Sequence, residues 1–334
     1  MNRSDVVSAL NLPESARVDQ RVPKKLLLEN SASTASDKRL ITDAIEEIQW
    51  FAALKPNTIG VPEYRDTQRE YLEIAVLALS ATTLLLASVL ERYFPYRAAW
   101  NRSTGDSATD WVSAATMVTV VEPLLKLLGA LAMVAVYGHS GTEGAEWLQG
   151  LPFVLQVFLA ALLIEFGKYW SHRLHHEVRH LWWLHAMHHS SERLYALNNL
   201  RFHPLNHVLN FAVSMLPAML LGFSVEAILA YLAVSQPVLM LQHANLDLRS
   251  GWANYIFSTN ELHRWHHSTE SAEADANFGS AFILWDQVFG TFRYLPGQND
   301  PARVGLFAST TDYPARAGYW VQLKSMFLPE CCRA

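Results

Sequence analysis

The sequence predicts an all-α, multi-pass integral membrane protein in which apolar helices carry a histidine-rich helical cap. Three observations predict it. The chain of 334 residues is 51% hydrophobic and only 17% charged, a low charge for a soluble protein. Its apolar residues are gathered into blocks that approach the roughly 20 residues a helix needs to cross a bilayer. Finally, no segment alternates polar and apolar residues as a half-buried strand would, and the histidines recur at helical spacing.

Residues 1–68 form a polar N-terminal region with one helical passage, Asp37 to Leu54, stopped by Pro56. Its start lacks the apolar core of a signal peptide, which argues against a cleaved secretory precursor. Residues 69–150 are expected to hold membrane-spanning helices. The first runs from Tyr71 to about Phe94 and contains Ile74 to Leu90, 17 residues without a charge. A polar link, Asn101 to Asp110, leads to a second span from Trp111 to Tyr137. Glu122, Pro123 and Lys126 fall inside that span, so it must be kinked or partly shielded from lipid. A third span is expected from about Trp147 to Trp170. The next block, His207 to Gln242, holds 36 residues and one acid, Glu226. As a straight helix it would extend about 54 Å, so it reads as a hairpin of two short legs turning at Gly222. Residues 296–334 are expected as a C-terminal tail, and its adjacent Cys331 and Cys332 form no disulfide framework.

Composition excludes some partners. A net charge of −5 with no basic stripe gives no footprint for nucleic acid. The histidines point elsewhere. Of 14, all but His139 lie between His172 and His267. His172 and His176 are four apart; His185, His188 and His189 stand at i, i+3, i+4; His263, His266 and His267 repeat that pattern. Residues three and four apart share one helix face, so each group projects its imidazoles in one direction. Packed among Leu, Trp and Met, such groups read as one metal site, and neutral imidazole suits zinc, copper, iron and nickel. Bringing them together requires the hairpin to return the chain to its starting side.

The run YWSHRLHHEVRHLWWLHAMHHSSE from Tyr169, the single His243 in LQHAN, and ELHRWHHSTE followed by NFG and WDQVFGTF resemble the fatty acid hydroxylase/sterol desaturase superfamily, in its bacterial sterol-desaturase-like and alkylglycerol-monooxygenase-like branch. The resemblance covers about residues 150–295 and implies a hydroxylase-like domain over 151–295. It implies a di-metal site of two non-haem iron ions, held by His172, His176, His185, His188, His189, His243, His263, His266 and His267. It also implies hydroxylation or desaturation of a lipid (sterol, fatty acyl or ether lipid) with O2. No dinucleotide-binding glycine fingerprint occurs, so electrons would come from a separate ferredoxin, or a cytochrome with its reductase. The cap would face the cytoplasm from a bacterial inner membrane or the endoplasmic reticulum.

Other readings stay open at this stage. His176 to His180 spells HEVRH, which fits the H-E-x-x-H of a zinc metallopeptidase with Glu177 as base. A metal transporter is a third class, although it would favour irregular Gly- or Asp-rich spacing. His203, in RFHP, and Asp247 are candidate further ligands, while His175 has no assigned place. Glu165, Glu177, Glu192 and Asp286 are acids that either orient imidazoles or are ordinary surface charges. Trp182, Trp183, Phe202, Trp252 and Trp265 either line an apolar slot for the lipid or sit as interfacial aromatics.

Overall fold

Helix α1, Pro62–Tyr93, exposes Leu77, Leu85 and Leu86 by more than half their surface, a face suited to lipid rather than water. The computed structural model describes residues 62–137, 146–295, 300–307, 309–310 and 312–328. The passage Asp37 to Leu54, His139, Cys331 and Cys332 lie outside these residues. Among the described residues the architecture is helical, with isolated bridges in place of sheets.

Three helical stretches are long and apolar enough to cross a membrane: Arg69–Tyr93, Ser107–Tyr137 and Phe153–Glu177. The second joins α2, Ser107–Thr116, to α3, Glu122–Tyr137, through a single wide π turn at Met117–Val121. Pro123 lacks the N–H that would close the preceding turn, and the π turn absorbs the missing bond without ending the helix. The third, α4, starts at Phe153 rather than near Trp147, because Pro152 sets the break, and it continues past Trp170 to Glu177. Its final turns therefore carry the first histidine pair.

An extended residue, Val178, turns the chain from α4 into α5, Arg179–His189. The 36-residue apolar block folds as the expected hairpin, but its first leg is broken at Ser214 into α6, Pro204–Val213, and α7, Met215–Leu220. Gly222, at φ 85°, makes the turn, a conformation that costs glycine little. The second leg is α8, Val225–Leu241. Ser224, at the start of α8, donates to Gln156 near the start of α4. Both helices then run toward the histidines, so the Gly222 turn and the histidines lie at opposite ends, about 28 Å apart along α4.

The cap is fastened to that histidine end. Arg201 and Asp110, both fully buried, form an ion pair that joins the cap to α2. Arg193 donates to Asp106 and Ser107 beside it. Glu91, near the end of α1, accepts from the backbone N–H groups of Ala196 and Asn245. Residues 300–328, expected as a tail, instead pack over α5. Tyr313 and Tyr319, the latter on α10 (Tyr319–Ser325; α9 being Asn260–His266), form a cluster with Trp182, Trp183 and Met187.

Gly167 marks the tightest crossing. A Cβ there would meet the backbone at Val213 and Ser214, where α6 breaks into α7. At Gly129 a Cβ would meet the flexible end of Met219, at 2.9 Å. Gly167→Ala is therefore expected to destabilise the fold by about 1–3 kcal/mol, the usual cost of overpacking. Gly129→Ala should cost much less. Thermal unfolding in detergent checks this, and equal losses for the two variants would refute the account.

Candidate metal centre

The ends of four elements build the centre. α4 supplies His172 and His176 from its last turns, and α5 supplies His185, His188 and His189. His243 stands in the turn after α8, and α9 with its C-terminal flank gives His263, His266 and His267. The structure brings all nine together in two adjoining groups. His172, His176, His185, His189 and His266 form one, and His188, His243, His263 and His267 the other, with potential ligand atoms in each group within 4.8 Å of one another. The groups touch where His189 stacks on His267, their ring centroids 4.2 Å apart.

Hydrogen bonds fix which nitrogen faces inward in six of the nine rings. A carbonyl oxygen can only accept, so an imidazole N–H must donate to it. Nδ1 of His172 donates to the Phe278 carbonyl, that of His188 to Arg201, and that of His266 to Ala276, at 2.9–3.2 Å. A longer relay sets His185. His175 Nδ1 donates to the Ser171 carbonyl, leaving its Nε2 to accept from the Asn206 amide, whose oxygen then accepts from His185 Nδ1. Likewise, Asn198 spends its N–H groups on Ser191 and Arg193 and accepts from His243 Nδ1. Asp275 faces His176 Nδ1 at 3.3 Å.

With Nδ1 occupied, His172, His176, His185, His188, His243 and His266 carry their lone pair on Nε2, pointed at neighbouring rings, whereas the buried Nδ1 atoms of His189, His263 and His267 have no hydrogen-bond partner among the described residues. Nε2 of His172 lies 3.0 Å from that of His185, and Nε2 of His263 lies 3.1 Å from those of both His243 and His267. The buried Nε2 atoms of His176, His189 and His266 have no hydrogen-bond partner among the described residues. Burial keeps these rings neutral. The pKa of His188 is pushed down to about 3 by burial and then by His266, and that of His266 to about 4 by burial. Deprotonated nitrogens spaced this way fit a metal, whose ligand nitrogens about 2.0–2.1 Å from the ion lie roughly 3–4 Å from each other.

Other sequence candidates stand elsewhere. His203 is the N-cap of α6, accepting from Leu205 N–H and donating to the Leu323 carbonyl, so both nitrogens are spent on structure. Asp247 is half exposed and pairs with Arg249. His180 is exposed at the start of α5, and extended Val178 divides HEVRH between two helices. The peptidase motif, which needs both histidines on one helix face, does not form. Glu165 ties α4 to other parts of the chain, accepting from Tyr231 and from the Ala281 and Phe282 N–H groups. Asp286 caps the Phe278–Gly279 backbone, which in turn holds the carbonyl facing His172. Glu177 and Glu192 pair with arginines. Of the five aromatics, Phe202 stacks on His188 and Trp182 lies against His176 and His189. Trp183 and Trp265 are buried in packing, while Trp252 is exposed. Sequence reasoning missed Asn198, Asn206 and Asp275, and gave no role to His175.

Comparison with known proteins places the histidine-bearing part of the chain in a known family. Residues 157–291 match the model of the fatty acid hydroxylase family, and residues 10–96 match a domain of unknown function. Ornithine lipid hydroxylase OlsE of Rhizobium tropici is 33% identical over 262 residues, 76% of this chain and 77% of that protein. Human alkylglycerol monooxygenase is 31% identical over 149 residues, 45% of this chain but only 32% of its own length. The Xenopus tropicalis alkylglycerol monooxygenase is similar over 30% of its length. No solved structure matches. By its match to OlsE over three quarters of both chains, this chain belongs to the fatty acid hydroxylase family.

Proposed function

We propose that the protein is an integral membrane, O2-dependent lipid hydroxylase that works through two non-haem iron ions. One observation carries the metal reading: nine histidines, seven of them buried, form two adjoining groups in which ring nitrogens converge. His172, His176, His185, His189 and His266 would hold one ion, and His188, His243, His263 and His267 the other. Zinc has no redox chemistry, whereas hydroxylating an unactivated C–H needs an oxidant that side chains lack. Bound in these groups, iron would supply that oxidant from O2 and two electrons.

The chain's own residues prepare the place. Carbonyls of Phe278, Arg201 and Ala276, with Asn198, Asn206 and Asp275, hold six of the nine rings in one tautomer and orientation. Phe202 and Trp182 cover the ligands with aromatic faces and keep bulk water away. The substrate class is a membrane lipid with a polar head, in keeping with the relative that matches over most of its length, the ornithine lipid hydroxylase. Electrons come from a separate ferredoxin, or from a cytochrome with its reductase. The apolar helices span the membrane several times, and the cap faces the cytoplasm.

Metal analysis of purified, active protein should return about two irons per chain. His188→Ala or His266→Ala should lower that content and abolish the +16 mass change in the lipid product. Stoichiometric zinc in fully active protein would overturn the iron assignment.

His176→Ala should likewise lose metal and activity, whereas His180→Ala should keep both to near wild-type level. Equal loss in the two variants would return HEVRH to the centre.

Topology is checked by cysteine labelling in a Cys331→Ser, Cys332→Ser background. Exposed Glu192 and Glu270, replaced by cysteine, should label from the cytoplasmic side. A cysteine at exposed Leu221, beside the far turn, should not. Labelling of positions 192 and 270 from opposite faces would break the single-cap arrangement.

A further inference from the structure

Three polar side chains lie in apolar helices and play no part in the imidazole groups. They are Glu122 on α3, Lys168 on α4 and His207 on α6. Ionisable residues are costly in a bilayer, so those that persist there face the bundle interior or a polar cavity.

Their positions relative to the centre follow from helix geometry and two ring contacts. Lys168 precedes His172 by one turn of α4, so the two share a face with an axial offset of about 6 Å. Among the described residues its ammonium donates only to the Tyr231 hydroxyl, at 3.1 Å, although it carries three donors. It lies within electrostatic reach of Glu165 and Glu122. Glu165 has no need of it, being filled by Tyr231, Ala281 and Phe282. His207 Nε2 stands 2.7 Å from Glu122 Oε1, and these side chains remain 30% and 47% exposed although both belong to apolar helices. Phe202 links the pair to the centre: its ring stacks on His188 at 4.3 Å and lies 5.7 Å from His207. Hence an ammonium sits one helical turn to the membrane side of His172, and a carboxylate paired with an imidazole lies within its electrostatic reach, joined to the centre through Phe202.

We propose that Lys168, Glu122 and His207 bind the polar head of the lipid substrate, Lys168 taking an anionic group and Glu122, backed by His207, taking an ammonium. This rests on the lipid hydroxylase reading and narrows it to lipids whose head carries both charges. A carboxylate or a phosphate satisfies Lys168 equally, whereas a neutral glycerol ether offers neither group. With the head held one turn from the imidazoles, the C–H presented to the centre belongs to the head or to the first carbons beside it. The far end of an acyl chain cannot reach while the head is docked there.

The test is native mass spectrometry of the full-length, iron-loaded protein in detergent, titrated with ornithine lipid, phosphatidylethanolamine and a 1-O-alkylglycerol. At least one zwitterionic lipid should bind about tenfold or more tightly than the alkylglycerol, the size expected for a charge-assisted hydrogen bond. The two zwitterions distinguish a carboxylate head from a phosphate head. Lys168→Met and Glu122→Gln should each erase the preference at unchanged iron content, and Lys168→Arg should restore much of it. Wild-type protein that binds the alkylglycerol as tightly as both zwitterions overturns the proposal, as does a Lys168→Met variant that keeps the preference. A preserved preference with no +16 product from any lipid would count against the hydroxylase reading while leaving the head site standing.

Discussion

Convergent lone pairs govern this molecule. Nitrogens of neutral imidazoles held 3.0–3.2 Å apart repel one another unless a cation or a shared proton stands between them. Every ring must therefore be neutral, in one tautomer and fixed in place before the group can form. Burial supplies the neutrality, since it penalises the charged ring. Oxygens behind six of the rings supply the tautomer. The His175–Asn206–His185 relay is the fullest case, because each hydrogen bond in it leaves only one direction for the next.

A cage of this kind needs rigid ends, and the fold provides them by anchoring the cap at several points. Arg201 illustrates the economy of the arrangement. Its guanidinium pairs with Asp110 on α2, while its own carbonyl accepts from His188. Removing one partner of a buried ion pair typically costs about 3–5 kcal/mol, and here the disturbed backbone would also be the one that aims a ring. Asp286 has a comparable double position, holding the Phe278 N–H while the Phe278 carbonyl orients His172. Stability and ligand geometry thus share residues.

Eight of the nine histidines were legible because spacing at i, i+3 and i+4 is a property of side chains along a helix, whereas His243, alone in a turn, was marked only by the family resemblance. The hairpin was legible because 36 apolar residues exceed one crossing. What lay hidden was mostly backbone. Phe278, Arg201 and Ala276 act through carbonyls, which any residue possesses, so no residue type announces them. His203 shows a signal with two readings: a polar residue before Pro204 caps a helix whether or not it binds metal, and here capping takes Nδ1 while the Leu323 carbonyl takes Nε2. The H-E-x-x-H pattern misled for a related reason. Four residues share a face only within one helix, and extended Val178 ends that helix between the two histidines. The packing of residues 300–328 over α5 left little trace, because its aromatics are too widely spaced to form a periodic face.

That packing has a consequence for synthesis. Trp183 donates to Ser325, and Ser190 and Gln322 share a buried hydrogen bond behind the same helix. His203 on α6 is likewise held by the Leu323 carbonyl. The last histidine of the two groups is residue 267, yet the wall behind α5 is completed by residues near 325. In order of synthesis the wall behind α5 therefore follows the last of these histidines, and a nascent chain paused after residue 267 would hold every histidine of the two groups without the support that residues near 325 give to α5.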